Sequence, residues 1–154
     1  MRALAAGAVA PDFALPDQRG RVVRMSDRLH EGPVVLFFYP AALSPGCTRQ
    51  ACHFRDLGPE FDAAGALRLG VSRDGVDRQR EFADGHDLGY PLLADEAGEV
   101  ATAYGVRRRL LTPVKRATFV VDRQQVVAEV ITSELDMRVH ADRALEAVRR
   151  LRGL

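Results

Sequence analysis

Six apolar residues run without a break over 34–39 (VVLFFY), and Pro40 ends them. An unbroken apolar run of that length marks a strand buried on both faces, so it predicts the centre of a sheet. Ser44-Pro45 then reads as an N-cap with proline at the first helical position, and Phe54, Leu57 and Phe61 continue at helical spacing. Upstream, residues 13–24 (FALPDQRGRVVR) read as two short strands around a Gln-Arg-Gly turn. Downstream, 66–71 predicts a second buried strand, 76–84 a helix with Gly85 near its end, 91–94 a short strand, and 96–104 a helix stopped by Gly105. Residues 117–121 and 125–132 read as a hairpin around Asp-Arg-Gln-Gln. The last helix, 140–151, carries Ala144, Leu145, Val148 and Leu151 on one side. This alternation predicts an α/β fold, a sheet with helices on both faces. There is no internal repeat, low-complexity segment or long linker.

A chain of 154 residues is long enough for one good core and short for two, so one domain, 1–154, is expected. The formal net charge is +1, from 22 Lys plus Arg against 21 Asp plus Glu. That balance supplies no field to hold nucleic acid or an anionic membrane. The start, MRALAAGAVAPDF, is Ala-rich but glycine-broken and too weakly apolar for a signal peptide. Nothing elsewhere approaches the roughly 18 apolar residues of a membrane span. A soluble, cytoplasmic protein is therefore expected, and in that compartment a cysteine pair is more often reactive or metal-bound than permanently bonded.

Both cysteines, Cys47 and Cys52, fall in PAALSPGCTRQAC. A zinc site would need four ligands at workable spacing, and His30, His53, His86 and His140 are scattered. A thioredoxin-type redox motif needs Cys-x-x-Cys, whereas this is Cys-x-x-x-x-Cys. The plainest reading is one buried structural thiol and one incidental one. Against it stands the position of Cys47 in a first helical turn, where unpaired amides and the positive end of the helix dipole favour a thiolate. Five helical residues separate the two Cα atoms by about 8.7 Å and roughly 140° of rotation. A disulfide needs the Cα atoms within roughly 7 Å, so the pair can bond only if the helix locally unwinds.

At these residues the chain resembles the peroxiredoxins, and within them the bacterioferritin comigratory protein or PrxQ group. Pro40-Ala-Ala-Leu-Ser44-Pro-Gly-Cys47 matches the family pattern of Pro, three residues, Thr or Ser, two residues, Cys. The group's longer string appears as Phe38-Tyr39-Pro40, Pro45-Gly46-Cys47-Thr48, Ala51-Cys52 and Phe54-Arg55-Asp56. APDFALPDQRG, GVSRDGVDRQREFA, YPLLADEAGEVATAYGV and RATFVVD extend the likeness in order over nearly the whole chain. It implies a thioredoxin-like fold in its peroxiredoxin variant, a central mixed sheet with helices on both faces and an N-terminal β-hairpin.

The resemblance also implies roles. Cys47 would be the peroxidatic cysteine, oxidised by peroxide to a sulfenic acid, and Cys52 the resolving cysteine that closes an intramolecular disulfide. Arg116 would keep the thiolate ionised and donate to the peroxide, Ser44 would donate through its hydroxyl, and Pro40 would shield the sulfur from water. Thioredoxin or a similar dithiol would reopen the disulfide, and no metal or organic cofactor is implied. With both thiols on one helix, a monomer suffices. The chain departs from the commoner pattern at Ser44, where Thr is frequent, at Gln50, where many relatives carry a Glu that orients the arginine, and at Ala41, where Lys is frequent. Arg107-Arg108-Arg109 reads as a solvated basic loop, with a docking surface for an acidic reductant as the alternative. The histidines read as structural, and His53, about 240° around the helix from Cys47, is poorly placed as its base. A non-catalytic redox sensor and a general thiol-disulfide oxidoreductase stand as alternatives to the peroxidase.

Overall fold

The computed structural model describes residues 2–153; Met1 and Leu154, the ends of the expected domain range, lie outside the described residues. Strand β3 (Val34–Phe38) is buried along its whole length at the middle of a five-stranded sheet of order β5-β4-β3-β6-β7. It runs parallel to β4 (Leu67–Ser72) and antiparallel to β6 (Ala117–Val121), so Phe38 has Val71 on one side and Ala117 on the other. β5 (Leu92–Ala94) adds parallel to β4, and β7 (Val127–Thr132) antiparallel to β6, which makes the sheet mixed.

The alternation of side chains along β3 divides the interior in two. Val35, Phe37 and Tyr39 enter one core, with α2 (Pro45–Asp56), α3 (Gly58–Ala63), α4 (Val76–His86) and α6 (Arg138–Arg152). Val34, Leu36 and Phe38 enter the other, with α1 (Met25–Arg28), α5 (Glu99–Ala103) and the hairpin of β1 (Ala14–Pro16) and β2 (Val22–Arg24). The Phe37 and Phe54 rings stack 4.2 Å apart and only 9° from parallel, fixing α2 to the sheet.

Several boundaries differ from the sequence reading for identifiable reasons. The helix expected to continue through Leu57 breaks there and restarts as α3, because Pro59 has no amide proton and crowds the preceding turn. The Phe54 carbonyl near the break accepts from Arg68 Nη1 (2.8 Å). α5 is shorter than 96–104 because Gly98 turns the chain at φ 74° and the buried Asp95 carboxylate takes the amides of Val100 and Ala101. The strand expected from 125 starts at Val127, since Asp122 folds the turn by accepting the amides of Gln124 and Val126. Four-residue α1 was not foreseen, and α6 begins two residues earlier than 140, where the Asp136 carboxylate accepts the amides of Arg138 and Val139.

Candidate active site

Between the end of β3 and the start of α2, residues 39–44 must turn a buried strand into a helix over its own layer. Leu43 makes that turn in the left-handed region (φ 69°), a conformation that costs a non-glycine residue about 1–2 kcal/mol. A buried polar chain holds the loop in place. The Tyr39 hydroxyl donates to Gln79 Oε1, Gln79 Nε2 donates to Ser72 Oγ (2.9 Å), and Ser72 donates to Asp74 Oδ2 (2.6 Å). Asp74 Oδ2 in turn accepts the Ala42 amide (2.8 Å). Burial pushes the Tyr39 hydroxyl well above its ordinary range, so it remains a donor.

Ser44 occupies the N-cap position but its hydroxyl does not cap. It donates back to the Ala41 carbonyl (2.9 Å), and the first bond of the helix is the Thr48 amide to the Ser44 carbonyl (2.8 Å). Pro45, Gly46 and Cys47 thus form the first turn, in which the amides of Gly46 and Cys47 have no partner within the helix. Pro40 is half-buried at the other end of the same loop.

Cys47 is 1% exposed. Arg116, at the head of β6, reaches its sulfur with Nη2 (3.4 Å) and donates through Nη1 to Gln50 Oε1 (2.5 Å), one turn further along α2. Arg116 and Gln50 are themselves buried, and among the described residues no carboxylate lies within 4 Å of the guanidinium. The Cys47 sulfur and the Gln50 oxygen are therefore the groups that this guanidinium meets. Gly46 packs close beside this contact: a Cβ there would lie 3.3 Å from Arg116 Nη2, so the guanidinium would have to shift by a few tenths of an ångström, and 3.5 Å from Met137 Sδ.

Cys52 lies in the same unbroken helix and both thiols are free. It is half-buried and lines an open cavity of about 570 Å³ with Arg49, His53 and the 135–138 segment. Met137 therefore sits beside Gly46 at one thiol and in the cavity wall of the other. The second half of α2 is tied down from outside. The Tyr90 hydroxyl donates to the Ala51 carbonyl (2.7 Å), and His53 Nε2 meets Asp142 Oδ1 (2.6 Å) on α6.

The structure thus brings together Cys47, Gln50 and Arg116, leaves the Ser44 hydroxyl bonded to Ala41, and sets Cys52 on a separate, more open side of the helix. Sequence reasoning missed the Tyr39–Gln79–Ser72–Asp74 chain and the buried pair of Thr118 and His140. The His140 Nε2–H donates to the Ser133 carbonyl (2.7 Å), which leaves Nδ1 to accept from the Thr118 hydroxyl (2.8 Å). Burial foremost, with the Arg116 charge among lesser causes, holds this imidazole below its ordinary 6.5. The available signal was Thr118 itself, a polar residue inside an apolar strand and two positions from Arg116, hence on the same side of the sheet. Among the described residues, no three His, Cys, Asp or Glu side chains group so as to hold a metal ion.

A buried thiol in the first turn after a central strand, faced by an arginine at the head of the adjoining strand, defines a thioredoxin-like protein with one arginine-paired cysteine. The AhpC/TSA family model matches residues 6–130. The chain is 52% identical to peroxidoxin BcpB from Mycobacterium tuberculosis, whose crystal structure superposes with a TM-score of 0.91 over 95% of this chain and 97% of that one. It is 39% identical over 147 residues to the chloroplastic peroxiredoxin Q of Sedum lineare, covering 95% of this chain and 78% of the relative. The bacterioferritin comigratory protein of Xanthomonas campestris, described for its alkyl peroxide reduction activity, superposes with a TM-score of 0.84 at 28% identity, covering 97% and 99% of the two chains. The chain belongs to the AhpC/TSA family of peroxiredoxins and is a thiol peroxidase that acts on peroxide and is recycled by a thiol reductant.

Proposed function

We propose that Cys47 is the peroxidatic cysteine of an atypical two-cysteine, thioredoxin-dependent peroxidase, acting as a one-domain cytoplasmic monomer. The observation that carries this reading is the contact of Arg116 Nη2 with Cys47 Sγ inside a nearly closed site. The Cys47 thiolate attacks the terminal oxygen of the peroxide. The O–O bond breaks, sulfur is oxidised by two electrons to the sulfenic acid, and the departing oxygen leaves with a proton as water or alcohol. Nucleophilicity falls as thiol pKa falls, so the rate rests on donors aimed at the oxygen that gains charge. Arg116 and the Gly46 and Cys47 amides are those donors, the Ser44 hydroxyl joins them once it turns from the Ala41 carbonyl, and Pro40 screens the sulfur from water. The alkyl peroxide reduction activity of the Xanthomonas relative supports organic hydroperoxides as substrates beside hydrogen peroxide.

Cys52 then attacks the sulfenic sulfur, the S–O bond breaks, and water leaves as the disulfide forms. The helix spanning both residues has to unwind for this, which detaches Cys52 from its cavity wall and presents the disulfide to a dithiol. A reducing cytoplasm supplies that dithiol, and both thiols on one helix make a second subunit unnecessary. General disulfide exchange is disfavoured by the same geometry, because a cysteine only 1% exposed is closed to a bulky protein disulfide. Steady-state peroxide consumption coupled to thioredoxin and thioredoxin reductase tests the reading. Sustained turnover with thioredoxin, abolished by Cys52→Ser, is expected. A single fast oxidation without turnover would instead indicate a redox sensor.

A further inference from the structure

At the carboxyl end of the central strands, in the layer opposite Cys47, lies a second cavity of about 830 Å³ lined by Arg73, Thr102, Arg107, Arg108 and Arg109. Arg73 follows β4 by one residue and lies two beyond Val71, on the side of the core that also holds Val106. Crevices at the carboxyl ends of strands are where α/β sheets ordinarily hold ligands. The other arginines come from a short hairpin closed by the Arg107–Val114 bridge, the Arg108 amide to Pro113 carbonyl bond (2.9 Å) and the Lys115 amide to Val106 carbonyl bond (2.7 Å).

The charge in this cavity has few answering groups. Arg73 spends Nε and Nη2 on a neutral acceptor, the Glu96 carbonyl (3.2 and 3.1 Å). Arg108 pairs with Glu134 (2.7 Å), while among the described residues the Arg107 and Arg109 side chains form no ion pair. Among the described residues, no carboxylate lines the wall. Two of the guanidinium groups converge on Gly98: a Cβ there would lie 3.0 Å from Arg73 Nε and 3.3 Å from Arg107 Nε. Arg73, Arg107 and Arg109, gathered in one concave site while Glu134 answers only Arg108, repel each other, and an anion relieves that repulsion.

We propose that this cavity binds a small polyanion carrying two or more linked phosphate groups, at a site separate from the thiols. Guanidinium forks match phosphate oxygens in pairs, so several arginines around one hollow suit a chain of phosphates better than a single one. The volume falls in the range of small-molecule sites rather than that of a single-ion niche. The net charge of +1 supplies no overall field that would draw a nucleic acid to the site.

Calorimetric titration of the reduced protein with pyrophosphate, adenosine diphosphate and orthophosphate, at about 0.15 M salt to screen loose surface attraction, tests this. Pyrophosphate and the diphosphate are expected to bind at least about tenfold more tightly than orthophosphate. The double variant Arg73→Gln/Arg107→Gln should weaken both by about tenfold or more and leave peroxide consumption unchanged. Arg143→Gln/Arg150→Gln, an equal charge change at exposed residues paired with Glu129, should alter binding less than about twofold. Tighter binding of the nucleotide than of pyrophosphate assigns the site to nucleotides, and equal binding assigns it to free polyphosphate. Equal affinity for orthophosphate and pyrophosphate, or equal weakening by the two double variants, would overturn the proposal.

Discussion

Arg116 and Cys47 stand 69 positions apart in sequence, yet the guanidinium Nη2 and the thiol sulfur meet at 3.4 Å. If that contact aims positive charge at the oxygen leaving the peroxide, Arg116→Ala lowers the second-order rate with hydrogen peroxide by about 10²–10³-fold, the usual cost of removing an aimed donor. Arg116→Lys restores little of it, because one ammonium cannot reach Gln50 and Cys47 with two separate donors. Stopped-flow peroxide consumption by the reduced variants checks both.

Gln50 holds the arginine from a fully buried position, and among the described residues its own Nε2 finds no hydrogen-bond partner. Gln50→Ala leaves Arg116 Nη1 unpaired in the interior, at a cost of about 1–3 kcal/mol in stability, and slows the peroxide step by freeing the guanidinium to swing away. Urea unfolding and stopped-flow rates on the same sample measure the two effects.

Ser44 separates two roles that its position confounds. A serine whose hydroxyl capped the helix would cost about 1 kcal/mol on change to alanine. Here the hydroxyl donates to Ala41 and points no bond into α2, so Ser44→Ala is expected to leave the amide-exchange protection of the helix nearly unchanged while lowering the peroxide rate. Ser44→Thr keeps the hydroxyl and retains most of the rate. Loss of helix protection comparable to a lost cap would contradict the assignment.

Much of this was legible in the chain itself. The apolar run at 34–39 located the central strand, and Ser44-Pro45 located the start of α2, because both signals are local. Its place in a first helical turn marked Cys47 out from the residues alone, whereas the Pro-x-x-x-Ser-x-x-Cys string and RATF pointed to roles for Cys47 and Arg116 only through family resemblance. What stayed hidden depends on distant contacts. Nothing near Asp74 says that it anchors the Ala42 amide, and nothing near His140 says that its imidazole is buried against Thr118. Likewise Arg107 to Arg109 read as a solvated run until the fold brought Arg73 beside them.

The buried His140 sets a pH dependence of stability. Its folded-state value lies below the ordinary 6.5, so between the two values the unfolded chain binds the extra proton. Stability is then fully present above pH 6.5 and is lost as pH falls below it, by up to about 1.4 kcal/mol per pH unit. His140→Gln removes this slope, and denaturant unfolding from pH 7.5 down to 5.5 compares the two proteins.

Disulfide formation requires α2 to open against the Tyr90–Ala51 and His53–Asp142 bonds. Tyr90→Phe removes the first, worth about 1 kcal/mol, so the open population and the rate of disulfide closure after peroxide oxidation rise several-fold. Hydrogen exchange over residues 45–56 in the reduced protein gives an independent reading of the same opening.

The central claim is that Cys47 takes the oxygen and Cys52 resolves it within one chain. Mixing reduced protein with one equivalent of hydrogen peroxide and following intact mass over milliseconds tests this directly. Wild type is expected to lose two hydrogens rapidly, Cys47→Ser to remain unchanged, and Cys52→Ser to gain one oxygen and then a second as sulfenic and sulfinic acids. Slow oxidation of both thiols at similar rates, or rapid oxidation that survives Cys47→Ser, would contradict it.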